Sequence, residues 1–177
     1  MRRAGRWTLG LVAALALLLG GVLMSYPSAW TAYRLLRAPK PAHLRVPVQG
    51  VVARGLVDTW NAPRSGGRKH QGIDIFARRG TQVLSPVTGL VLSVGRNRLG
   101  GNVVRVLGPG GQVHYFAHLE RFGLVQGGMP VPAGTVLGFV GTTGNAAGTP
   151  PHLHYGIYNL PGGAIDPYPL LAPSHRH

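Results

Sequence analysis

Three histidine-bearing clusters carry most of the chemistry open to this chain. They are His70-Gln71-Gly72-Ile73-Asp74, His118 within Tyr115-Phe116-Ala117-His118-Leu119, and His152-Leu153-His154. The Gly-Ile-Asp-Ile stretch reads as a strand, in which positions i and i+4 share a face but stand about 13 Å apart when fully extended. Gly72, between His70 and Asp74, lets the backbone kink or bulge so that both heads reach one point. Asp74 is flanked by Ile73 and Ile75, so its own face is the polar one; a lone buried carboxylate there is costly, and a metal is its natural partner. His152 and His154 stand at i and i+2 on one strand face, about 6.5 Å apart. One of them can bind a metal while the other touches its water or the substrate. A set of His, Asp and His donors suits zinc with water in the fourth position, a combination that polarises a carbonyl and acidifies the water. Amide hydrolysis also needs a group that moves the water proton and protonates the leaving nitrogen, and His118 and His152 are the spare histidines for it. His43, His114, His175 and His177 read as connector, strand and tail residues.

These clusters sit in a chain of 177 residues with 28 Gly and 15 Pro, about a quarter of the total. That composition suits one turn-rich β domain and not a helical bundle. Strands are expected at 46–52, 72–76, 81–84, 89–94, 102–107, 113–117, 136–140 and 152–158, separated by glycine turns that supply positive φ. Past residue 46 no clean helical period runs without a Gly or Pro break. The expected fold is mainly β: a compact antiparallel sheet or barrel-like sandwich. The absence of cysteine excludes a disulfide scaffold, a cysteine nucleophile, a cysteine-ligated metal and a lipoprotein anchor, and it fits an oxidising compartment.

The net charge of +14 divides into +7 over residues 1–45, which hold no acid, +6 over 46–171, and Arg176. Arg2, Arg3 and Arg6 precede an uncharged run from Trp7 to Tyr33 whose apolar heart is Leu9 to Met24. The run sits at the short end of a bilayer span, which needs roughly 20 apolar residues. No Ala-x-Ala cleavage site follows its apolar heart, so an uncleaved signal anchor is favoured over a removed signal peptide. Positive charges flank both ends, and the positive-inside rule is nearly balanced. The expected organisation is an anchor over 1–24, a juxtamembrane connector over 25–45 with one short helix near 29–37, a catalytic domain over 46–171 and a tail over 172–177. Basic charge also invites a polyanion, but no nucleic-acid recognition motif, basic amphipathic helix or aromatic array accompanies it, and nucleic acid is not an expected partner.

Taken together, the blocks resemble the lysostaphin-like (LytM-type) zinc metallopeptidases, which cut peptides of bacterial peptidoglycan. The resemblance runs from Ala62-Pro63-Arg64 to Asp166-Pro167. It rests on Arg64, His70-x-Gly72-Ile73-Asp74-Ile75, Gly80-Thr81-x-Val83, Gly89-x-Val91, His118-Leu119, Gly134 to Gly141, Gly144-Asn145 and His152-x-His154 in that order. It implies one zinc ion per chain on His70, Asp74 and His154, with His118 and His152 as the catalytic histidines. All five are present, unlike in the family's degenerate, non-catalytic members. Phe116 stands where the family usually has Tyr. The implied activity is an endopeptidase on peptidoglycan crosslinks (members of this DD-endopeptidase family cut either glycyl bonds of interpeptide bridges or D-Ala–diamino acid crosslinks, and the second is favoured here), by a monomer anchored in the inner membrane with its catalytic domain in the periplasm, or exported after signal cleavage. A zinc-retaining scaffold or activator of other wall hydrolases is the alternative. Val131-Pro132-Ala133-Gly134 also resembles a lipoyl or biotinyl carrier hairpin, but the only lysines, Lys40 and Lys69, do not sit on it.

Overall fold

The computed structural model describes residues 10–15, 17–18, 20–21 and 26–172. The expected anchor over 1–24 lies largely outside them; residues 10–15, 17–18 and 20–21 have helical backbone. Among the described residues no helix is long and apolar enough to cross a membrane. His175 and His177 lie outside the described residues.

The connector helix forms where expected, as α1 (Pro27–Arg37). Pro27 opens it, where a missing N–H costs nothing, and Pro39 stops it by restricting the residue before it. Its Leu35 is buried with Leu90, Leu107 and Val113, and just beyond it the Lys40 ammonium donates to the Asn159 side-chain oxygen at 3.0 Å.

Nine antiparallel strands follow: β1 (Ile73–Phe76), β2 (Gln82–Leu84), β3 (Gly89–Asn97), β4 (Gly101–Leu107), β5 (Gln112–Phe122), β6 (Pro130–Val131), β7 (Val136–Val140), β8 (His152–Asn159) and β9 (Gly163–Ile165). They form one open sheet in the order β1-β8-β5-β4-β3-β6, with β7 joined to β5, β2 to β7 and β9 to β8. A short helix, α2 (Tyr168–Leu171), closes the chain. The core draws Ile73, Ile75, Val83, Val91, Val104, Val106, Phe116, Leu137, Leu153 and Tyr155 from seven of these strands.

Three differences from the sequence reading have physical causes. The segment expected as a strand at 46–52 is not one: only Val48 bridges, to Val83. Pro47 has no N–H to donate, and Gly50 turns the chain away at φ 76. Strands β6 and β9, two and three residues long, are too short to leave a period-two pattern. Strand β5 runs five residues beyond Ala117, because a bulge at that point shifts its phase and gives it a new partner.

Candidate active site

The first ladder of the site is β1 against β8. Its register sets Asp74 opposite His154 and Phe76 opposite His152, so both pairs share one face and their heads meet across the strands. His70 joins them because it is not on the strand. It lies in the preceding segment, where Lys69 bridges Pro63, and the chain bends at Gly72 before β1 begins. Gly72 has a second role that its spacing does not reveal. A Cβ at this position would lie 2.5 Å from the Tyr155 carbonyl and 2.8 Å from His154 Cε1, so the His154 ring occupies the space a side chain would need.

Three donor atoms converge as a result. His70 Nε2 stands 2.7 Å from His154 Nδ1 and 3.1 Å from Asp74 Oδ1. His154 Nδ1 stands 3.2 Å from the same oxygen. Two imidazole nitrogens and a carboxylate oxygen, all electron-rich, need a proton or a cation between them. At 2.7–3.2 Å apart, they stand somewhat inside the roughly 3.4 Å edges of a tetrahedron with metal–ligand bonds of about 2.1 Å. These residues could therefore hold a metal ion, and the N,N,O donor set suits zinc. Burial opposes ionisation of Asp74, but hydrogen bonds to His154 and His70 outweigh it and hold the carboxyl well below its ordinary range. Burial pushes the His154 imidazole down, which keeps its ring neutral and able to donate a lone pair.

His118 and His152 face this cluster. The His118 ring lies 5.0 Å from that of His152 and 5.8 Å from that of His154, and His152 Nε2 is 3.9 Å from Asp74 Oδ1. His118 is placed by a bulge. Asn102 pairs with Leu119 and Val104 with Phe116, so two β5 residues oppose Val103. His118 adopts φ 63, a left-handed conformation that side chains rarely take and that clusters at functional sites. At this residue β5 also changes partner. Ala117 is its last pair with β8 and Leu119 its first with β7, so the sheet forks and a cleft of about 680 Å³ opens.

Backbone carbonyls fix the tautomers of three of the four histidines. A carbonyl only accepts, so the Nδ1–H groups of His70, His118 and His152 must donate to the carbonyls of Thr59 (2.7 Å), Thr143 (2.9 Å) and Pro150 (2.8 Å). With the hydrogen held on Nδ1, Nε2 is the atom each ring has left to offer a lone pair. Burial pushes the His118 pKa down to about 4, so its ring is neutral near pH 7.

Arg64 is one of the residues on which the family resemblance rests, and the structure sets it against the metal-ligand candidate Asp74. Its Nη2 donates to Asp74 Oδ2 at 2.5 Å, which engages one carboxylate oxygen and leaves Oδ1 facing the histidines. Thr59 was missed: besides its carbonyl, its hydroxyl oxygen accepts from the Asp74 N–H at 3.0 Å. The backbone acceptors Thr143 and Pro150 were missed as well, since a carbonyl that orients a ring leaves no trace in residue type. Arg68, Lys69, Phe76, Tyr115 and Asn145 complete the cleft walls. His43 is exposed in the connector, and His114 is buried in β5 with its Nδ1 2.6 Å from the Tyr155 hydroxyl; neither belongs to the site.

Residues 68–167 match the sequence model of peptidase family M23. The L-Ala–D-Glu endopeptidase of Bacillus subtilis (strain 168) is 41% identical over 130 residues, covering 67% of this chain and 40% of that one. The DD-carboxypeptidase/endopeptidase Mpg of Neisseria meningitidis serogroup B is 37% identical over 119 residues, covering 67% of this chain and 25% of that one. This chain therefore spans less than half the length of either curated relative. Among solved structures, the catalytic domain of the antimicrobial peptidase lysostaphin from Staphylococcus simulans superposes with a TM-score of 0.60 at 28% identity, covering 66% of this chain and 92% of that one. The matched stretch takes in all nine strands and the whole of the His/Asp cluster, more than half of the sequence; the chain belongs to peptidase family M23.

Proposed function

We propose that this protein is a zinc-dependent endopeptidase that hydrolyses peptide crosslinks of bacterial peptidoglycan. The observation that carries the reading is the convergence of His70 Nε2, Asp74 Oδ1 and His154 Nδ1 within 3.2 Å of one another, beside two further histidines with bare Nε2 atoms. His70, Asp74 and His154 would hold the zinc, and the bound ion supplies Lewis acidity toward a carbonyl and a water. The chain's own residues then account for the proton movements. The pair His118 and His152 accepts a proton from the water as its oxygen bonds to the scissile carbonyl carbon. The same pair returns that proton to the nitrogen as the C–N bond breaks, leaving a carboxylic acid and an amine, and the acid's remaining proton then passes to the amine to give carboxylate and ammonium. The transient imidazolium is stabilised by the nearby Asp74 carboxylate, and the Thr143 and Pro150 carbonyls keep each ring in the orientation the transfer needs. Arg68 and Lys69 on the cleft wall suit the carboxylates of a wall peptide.

The curated relatives are named for an L-Ala–D-Glu bond and for DD-bonds. We favour the direct D-Ala–diamino acid crosslink, since an anchored, cysteine-free chain looks like the Gram-negative arrangement. We also propose the organisation read from the sequence: an anchor over 1–24, the connector over 25–45, the catalytic domain over 46–171 in the periplasm and the tail over 172–177. Digestion of purified peptidoglycan with the zinc-loaded protein, followed by mass spectrometry of the muropeptides, tests the activity. Loss of crosslinked dimers with release of monomers is expected. Cleavage only within stem peptides reassigns the bond. No cleavage at all with zinc bound rejects the enzyme in favour of a wall-hydrolase scaffold or activator.

A further inference from the structure

Helix α1 carries two faces, and only one is used by the fold. Leu35 is buried, and Ser28, Thr31 and Ala32 on the same side are half-covered. That side packs against the turn at Pro109–Gly111 and against β3. About 180° around the helix, at the spacing of one face, stand Tyr26, Trp30 and Tyr33, which are 61%, 47% and 46% exposed. The Trp30 and Tyr33 rings stack at 5.6 Å between centroids, so the aromatic surface is continuous. Arg34 and Arg37 border it and are exposed. The sequence has no acid before Asp58, so this face and its surroundings carry a single sign of charge.

We propose that this face of α1 lies in the headgroup layer of an anionic lipid bilayer and seats the catalytic domain on the membrane surface. Three observations select a bilayer over a protein partner. Trp and Tyr, with an apolar body and a polar tip, are the side chains that settle at the membrane–water interface. Arg at the border of such a face is drawn to anionic headgroups. The helix also begins directly after the apolar run Leu9–Met24, which delivers it to the membrane. This last point rests on the anchor reading; the aromatic face and its charges do not.

The seating has a consequence for reach. Leu107, Val113 and Tyr158, beside Leu35, mark the docked ends of β4, β5 and β8. The cleft lies at the Ala117–His154 pair, four ladder positions from the Val113–Tyr158 pair, or about 14 Å along the strands. Because α1 is packed on the domain through a buried leucine, the cleft is held at a set distance from the lipid and does not swing on a free tether.

The test uses the full chain with Trp7→Phe and Trp60→Phe, so that Trp30 is the sole tryptophan, in vesicles of phosphatidylcholine with and without phosphatidylglycerol. With phosphatidylglycerol, Trp30 emission should shift to the blue, lose several-fold in iodide quenching and be quenched by lipids brominated near the headgroup. Replacing Arg34 and Arg37 together by Gln should lower the lipid-seated fraction by about 25-fold, from roughly fivefold per charge. Carbonate extraction separates this inference from the anchor. A chain that resists extraction while Trp30 stays open to iodide overturns the surface helix and leaves the anchor standing. A chain that carbonate releases, yet whose Trp30 is lipid-shielded beforehand, supports the surface helix without the anchor. Shielding of Trp30 in the absence of vesicles assigns the face to a second copy of the chain and overturns the inference.

Discussion

Gly72→Ala tests whether backbone packing, and not ligand identity alone, builds the proposed zinc site. The added Cβ would stand 2.5 Å from the Tyr155 carbonyl oxygen and 2.8 Å from His154 Cε1. Carbon–oxygen contacts between neighbouring strands settle at about 3.3–3.6 Å, so the backbone at the start of β1 must part from β8 at Tyr155 by about 0.8 Å, or the His154 ring must swing away. Metal sites tolerate ligand displacements of about 0.2 Å, so the donor set cannot absorb either movement. Overpacking of this kind costs about 1–3 kcal/mol, which corresponds to a fall in Tm of roughly 3–10 °C for a domain of this size. Zinc affinity should fall by at least about tenfold, the range seen when groups supporting metal ligands are removed. The assay is competitive zinc titration with a chromophoric chelator, alongside thermal melting and peptidoglycan cleavage on the zinc-saturated variant. A folded Gly72→Ala variant with wild-type zinc affinity would refute the reasoning, because it would mean that His154 is not held by the space Gly72 leaves open.

Other perturbations probe separate links. Arg64→Ala should free Asp74 Oδ2 and weaken zinc binding by about 10–100-fold, with partial rescue by Arg64→Lys, as equilibrium titration would show; unchanged affinity would make Arg64 a surface residue. His118→Ala and His152→Ala should each keep zinc, measured by elemental analysis, and lose hydrolysis by a factor of about 100 or more; wild-type turnover in either removes its proton-transfer role. Asp74→Ala should purify without zinc, and full occupancy would reject it as a ligand. His114 gives a pH prediction. Burial holds its folded-state pKa at about 4, below its ordinary 6.5, so the stability it contributes is complete above pH 6.5 and is lost as the pH falls toward 4. The shift corresponds to about 3 kcal/mol at full loss. Denaturant unfolding from pH 7 to 4 should show that loss in the wild type and a shallower decline in His114→Phe; parallel profiles would assign the acid sensitivity elsewhere.

Much of the site was legible in residue types and spacing. His70-x-x-x-Asp74, His118 and His152-x-His154 are brought to one cleft, and the strands that carry them were visible as β-branched runs between glycine turns. The Gly-Pro-Gly-Gly turn at 108–111 is where β4 gives way to β5, with Gly110 and Gly111 at positive φ. A strand's period of two is enough to set His152 and His154 on one face, because it depends only on local backbone geometry. Tertiary structure decided the rest. The β1–β8 register placed Asp74 opposite His154, and register depends on the pairing of segments some 80 residues apart. The bulge at His118 depends on β5 changing partners from β8 to β7, which no local pattern records. The tautomers depend on the carbonyls of Thr59, Thr143 and Pro150, and every residue type has a carbonyl. Gly72 shows both levels at once: its residue type permits a bend, and only the Tyr155 carbonyl and the His154 ring beside it explain why no larger side chain fits.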